Sequence, residues 1–149
     1  MVKMLTMAGE RDLVTGVIQL ANLLIRRLSP VFEKAKITPQ QWTVLSALAS
    51  EDSSVTLVNL ARRLVVTKQN MTGMIARLED LGLAERHGDP NDLRSSRVSL
   101  TRRGRALVER VRPAYEEWLA SLAEGDVSER DLNGLGRTVE RLIVKLQSE

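Results

Sequence analysis

Between Thr67 and Thr101 the apolar residues change their period, and that change restricts the chain to few architectures. Up to Gly82, Met71, Met74, Ile75, Leu78 and Leu81 recur at steps of three and four, which predicts a helix with one apolar stripe. The opposite face carries Gln69, Thr72, Gly73, Ala76 and Asp80, with Lys68 on one flank and Asn70 and Arg77 on the other. Glycine costs a helix interior about 1 kcal/mol relative to alanine. Gly73, midway along the polar side, therefore predicts that something approaches the backbone closely there. From Leu83 onward the pattern becomes strand, turn, strand. Gly88, Asp89, Pro90, Asn91 and Asp92 are strong turn formers in one cluster. Val98 and Leu100 then alternate with Arg97 and Ser99, as a half-buried strand requires.

Upstream, three helix starts share one design. Thr38, Thr56 and Thr67 each stand at an N-cap, bracketed by the apolar pairs Ile37 and Trp42, Val55 and Leu60, Val66 and Met71. Pro39 and Gln41 strengthen the first of them. The predicted helices span 39–50, 57–64 and 68–82, and Val55-Thr56 can add a short strand to the hairpin. Only Val65-Val66 links the second helix to the third, as a helix-turn-helix demands. A turn of this kind followed by a basic hairpin outlines a winged helix-turn-helix, in a chain that is otherwise mainly α.

Charge points to a polyanion. Residues 62–105 hold ten Lys and Arg against five Asp and Glu, a balance of +5, whereas residues 113–149 hold four against eight, a balance of −4. The middle of the chain should attract duplex DNA and its end should not. On the polar face, Gln69 and Asn70 have the amide geometry to pair with adenine, and Lys68 could reach guanine or a phosphate. Thr67 and Thr72 suit phosphate or thymine-methyl contacts. Arg62, Arg77, Arg86 and Arg97 are expected on phosphates, where they add affinity without reading sequence.

The same stretch resembles the multiple antibiotic resistance regulator (MarR) family. The resemblance is carried by Thr72, Arg77-Leu78-Glu79, Gly82-Leu83-Ala84-Glu85-Arg86, Asp89-Pro90-Asn91-Asp92-Leu93-Arg94 and Val98-Ser99-Leu100-Thr101-Arg102-Arg103-Gly104. It departs from the family at Leu93, where an arginine is usual. The resemblance implies a homodimeric transcriptional regulator, in most cases a ligand-responsive repressor, on a pseudo-palindromic operator. It implies that Arg94 enters the minor groove and that Asp92 orients it. It further implies residues 38–101 as the DNA-binding lobe of a single 1–149 domain, with residues 11–36 and 113–149 as dimerisation helices. A pocket for a small aromatic or phenolic effector would then be walled by Leu28, Phe32, Trp42, Leu45, Leu107 and Val111. Plain core packing explains those six residues equally well, and a winged helix can also serve a protein partner instead of DNA.

The terminal segments suit this outline. Leu13, Val17, Leu20, Leu24 and Leu28 form one line on the first helix, with Val14, Ile18, Ala21 and Ile25 on an adjacent one. Pro30 should end or bend that helix near Ser29, and Pro113 should kink the fifth helix without breaking it. Ser128 starts the last helix, striped by Leu132, Leu135, Val139, Leu142, Ile143 and Leu146. These stripes suit a dimer or an intramolecular bundle. Enzyme chemistry is not expected: the single histidine, His87, has no neighbouring ligand pair, the chain has no cysteine, and no phosphate-cradling loop occurs. Neither metal nor cofactor is implied. Without a signal-like amino terminus or an apolar run of membrane-spanning length, the chain is expected in the cytoplasm.

Overall fold

Caps and turn residues set the element boundaries in the computed structural model, which describes residues 11–148. Six helices and three strands follow in the order α1 (Leu13–Glu33), α2 (Pro39–Ala49), β1 (Val55–Thr56), α3 (Leu57–Leu64), α4 (Lys68–Asp80), β2 (Ala84–Asp89), β3 (Asp92–Leu100), α5 (Arg102–Ser121) and α6 (Glu129–Gln147). The mainly helical winged architecture expected from the sequence is what forms. Thr38, Thr56 and Thr67 accept hydrogen bonds from the backbone N–H groups of Gln41, Asn59 and Asn70. Each satisfies one of the amides that a helix start leaves without a partner. Thr38 and Gln41 form a reciprocal capping box, as do Ser128 and Asp131.

The three strands form one antiparallel sheet in the order β1-β3-β2. Val55 and Thr56 pair with Val98 and Arg97, while Ala84, Arg86 and His87 pair with Leu100, Val98 and Arg97. Val98 and Leu100 are buried and their neighbours Arg97 and Ser99 are not, so the predicted alternation holds. The register shifts at Gly88/Asp89, leaving Pro90-Asn91 as the tip.

A tight knot joins α4, β2 and α5. Gly82 takes a left-handed φ of 73°, and the N–H groups of Gly82 and Leu83 donate back to the carbonyls of Glu79 and Leu78. That pair of bonds is a Schellman ending. Thr101 then donates its N–H to Leu83 O and its hydroxyl to Gly82 O, and its Oγ1 accepts from Gly104 N. Gly104 lies inside the first turn of α5. A Cβ there would sit 2.0 Å from the Leu83 carbonyl oxygen, so only glycine lets α5 close on β2.

Two backbone features bear on the expectations from sequence. Of the two outcomes expected at Pro30, an end near Ser29 does not occur: α1 continues through Pro30 to Glu33, and the Ser29 hydroxyl donates to the Ile25 carbonyl at the turn where proline removes a donor. The turn between α3 and α4 also holds a surprise. Val65 caps α3 in the left-handed region, at φ 55° and ψ 47°, a conformation that a β-branched side chain resists.

The core of the lobe is aliphatic. Val44, Leu45, Leu60, Met71, Ile75, Leu78 and Val98 are fully buried or nearly so, and the rings of Phe32 and Trp42 stack with centroids 5.4 Å apart. Packing divides the chain into two compact units, one ending at Arg112 and the other beginning at Pro113. Helix α5 is continuous across Pro113. In the second unit α6 buries none of its side chains, and on α1 only Phe32 is buried.

Candidate nucleic-acid interface

Helix α4 turns Met71, Ile75 and Leu78 inward, which by helical geometry leaves the other side to solvent. Lys68, Gln69, Asn70, Gly73, Ala76 and Arg77 are exposed and Thr72 is half-buried. A Cβ added to Gly73 would meet nothing within 4 Å. The glycine is thus not required by packing inside the chain, in keeping with a demand from outside it.

The exposed face borders two open grooves. One, of about 710 Å³, runs between α4 and the start of α2, lined by Gln69, Asn70, Gly73 and Arg77 on one side and by Thr38 and Gln40 on the other. A second, of about 430 Å³, lies between the start of α3, Lys68 and the hairpin, and includes Asn59, Asp92, Arg94 and Ser96. Gln40 and Ser96 were not singled out in the sequence. Their only signal was a polar side chain near a cap or a turn, which most surface residues share.

Several predicted contacts have their hydrogen bonds arranged differently from the simplest expectation. The Thr67 hydroxyl is engaged in capping α4, and the Thr72 hydroxyl donates to the Lys68 carbonyl at 2.9 Å. Thr67 keeps its hydroxyl proton to donate outward, whereas Thr72 has committed its own to the helix and offers chiefly its methyl. Arg62 is exposed with Nη1 3.5 Å from Asn59 Oδ1, and Arg86 lies 3.9 Å from Glu79, a loose pairing that leaves it available. Asp92 accepts from the backbone N–H of Arg94 at 3.0 Å, so it shapes the chain under Arg94 rather than gripping the guanidinium. The Arg94 side chain is exposed near the hairpin tip, beside a fully exposed Leu93.

Arg97 departs most from its expected place among phosphate contacts. Its Nε donates to Ser54 Oγ at 2.7 Å, its Nη2 to the Ser54 carbonyl at 2.6 Å, and its Nη1 lies 3.7 Å from the largely buried carboxylate of Asp89. Two of its donors are engaged inside the protein and a third faces Asp89, because β3 is the central strand and places this side chain over the segment preceding β1.

Of the six residues considered for an effector pocket, Phe32, Trp42, Leu45, Leu107 and Val111 are buried and Leu28 is half-buried. They form part of the core of the first unit. Among the described residues no group of three or more His, Cys, Asp and Glu is placed to hold a metal ion. No helix among them is long and apolar enough to cross a membrane.

Comparison with known proteins agrees with this geometry. A family model described as the MarR family matches residues 35–95. The HTH-type transcriptional regulator FarR of Neisseria gonorrhoeae is 30% identical over 119 residues, covering 80% of this chain and 81% of that protein. The homoprotocatechuate degradative operon repressor of Escherichia coli is 31% identical over 106 residues, 71% of each chain. Among solved structures, NadR in complex with 4-hydroxyphenylacetate superposes with a TM-score of 0.75 at 26% identity, covering 93% of this chain and 96% of that one.

Proposed function

Because this chain belongs to the MarR family and is a DNA-binding transcriptional regulator, we propose that it acts as a homodimeric repressor on a pseudo-palindromic operator and is released by a small aromatic effector. The observation that carries this reading is the polar face of α4, open to solvent beside a hairpin that presents Arg94. Gln69 and Asn70 read base edges in the major groove, with Lys68 beside them. Gly73 lets the backbone approach the duplex. Thr67 meets a phosphate through its hydroxyl, Thr72 offers its methyl group, and Arg62, Arg77 and Arg86 hold phosphates. Arg94, on a backbone shaped by Asp92, enters the minor groove.

A homodimer follows from the apolar faces left open on the terminal helices. Leu135, Val139, Leu142 and Ile143 on α6 are each about two-fifths or more exposed, and Val14, Val17 and Ile18 on α1 more than half. Apolar stripes of that extent mark an interface, and a second copy of the chain supplies the matching surface. Two α4 helices about one helical turn apart, roughly 34 Å, then read successive major grooves of a two-fold site.

The effector is assigned to a small aromatic acid. This rests on the ligand named for NadR and on the aromatic stack of Phe32 and Trp42 among Leu28, Leu45, Leu107 and Val111. Since these side chains pack as core, a ligand must separate them to enter. It releases DNA only by binding better to a dimer whose recognition helices have the wrong spacing.

The test is fluorescence anisotropy on duplex fragments selected from genomic DNA. Affinity should fall steeply with salt, by on the order of a thousandfold between 50 and 200 mM for six or more phosphate contacts. Gln69→Ala and Arg94→Ala should each weaken binding by about tenfold or more. Retention of full affinity by both variants would sink the assignment of the interface. Aromatic acids should lower operator affinity and change Trp42 emission together.

A further inference from the structure

The grip of Arg97 on Ser54 joins residues 43 positions apart, and everything it touches leads toward the hairpin. Ser54 precedes β1, and Thr56, two residues on, both pairs with Arg97 across the sheet and caps α3. On the other side Arg97 faces Asp89, which stands at the register shift where β2 turns into the tip and accepts the Asn91 N–H at 2.9 Å. Further back, Arg63 of α3 holds the same loop through Glu51 at 2.6 Å. One guanidinium therefore bridges the base of the hairpin, its bend and the segment that starts α3.

Building on the DNA-binding reading given above, we infer that Arg97 is a positioning residue: by clamping Ser54 and Asp89 it sets where the hairpin holds Arg94 relative to α4, and it does not itself contact DNA. The planar fork of arginine is what makes this geometry. Two donors reach the two oxygens of Ser54 while a third points at the carboxylate, an arrangement that a single ammonium point charge does not reproduce.

Two size-preserving variants decide the matter. Asp89→Asn removes a negative charge from a lobe that binds a polyanion, so charge alone would tighten binding. The clamp predicts the opposite sign, a loss of about three- to tenfold, because the bend loses its ionic partner. Arg97→Lys keeps the charge and would retain nearly full affinity if Arg97 were a phosphate contact. The clamp predicts a loss as large as that of Asp89→Asn. A double-mutant cycle adds a third readout: in an Arg94→Ala background the cost of Arg97→Lys should largely vanish, since Arg94 is what the clamp positions. Tighter binding by Asp89→Asn, full affinity in Arg97→Lys, or additivity with Arg94→Ala would each overturn the inference. If Arg94→Ala and Gln69→Ala weaken binding while the clamp variants do not, only this inference fails. If neither of those two has an effect, the underlying assignment of the interface fails with it. Thermal unfolding of each variant, measured alongside, should show a lobe folded at the assay temperature.

Discussion

Helices α4 and α6 carry apolar stripes of the same spacing, yet α4 seals Met71, Ile75 and Leu78 completely whereas α6 buries none of its residues. The difference lies in what surrounds them. Around α4 the chain provides α2, α3 and the sheet within some sixty residues, each with a marked start, so the stripe is covered locally. Among the described residues nothing covers α6 in this way. A periodic stripe states that a face will be buried but does not say against what, and only the first kind of stripe belongs to a fold that one chain completes.

The contrast can be broken most severely at Gly104. If the lobe is closed as tightly as its geometry indicates, Gly104→Ala should destabilise it by on the order of 3 kcal/mol or more, because the new methyl meets backbone that cannot move aside cheaply. A thermal melt close to that of the parent protein would show that the knot between α4 and α5 is looser than described. On α6 a drastic change should leave the lobe intact. Leu142→Glu or Ile143→Glu would abolish folding in a closed core. Here each is expected to shift sedimentation toward monomer, with a dissociation constant raised by about tenfold or more and the thermal melt of the lobe preserved.

A smaller effect sharpens the picture of the lobe. Val65 holds a left-handed conformation on an exposed turn, so Val65→Gly should raise stability by about 1 kcal/mol, seen as an increase of a few degrees in Tm. No gain would mean that the valine methyls contribute packing that offsets the backbone cost. The smallest test concerns the start of α6. The backbone N–H of Ser128 holds the Asp131 carboxyl below its ordinary value of 3.8. A depressed carboxyl stabilises the folded form above that ordinary value and loses the contribution as pH falls through the lowered one. Helicity should therefore decline a little more below pH 3.8 in the parent than in Asp131→Asn, as read by circular dichroism.

Much of this was legible in advance because the signals are local. A threonine cap, its staple residues and the helix that follows lie within six positions, and all three starts in the lobe formed as read. The hairpin was legible for the same reason, its turn residues being contiguous. Arg97 was not. Alternation placed it correctly on the half-buried strand, but its partner Ser54 lies 43 residues away and carries no distinguishing pattern, so its bonds to that segment could not be read. Val65 escaped notice because a turn of that length usually recruits glycine or asparagine for φ > 0. Pro30 left an end or a bend open, and the helix runs on because one already held on both sides tolerates a missing donor. The aromatic stack of Phe32 and Trp42 was legible only as apolar residues, since sequence spacing does not distinguish filled core from a cavity wall.

Thr56 ends a strand and begins a helix at the same residue, with its backbone laced to β3 and its hydroxyl to the first turn of α3. No slack separates the two elements, so a shift of α3 is passed directly to the edge of the sheet on which the hairpin stands.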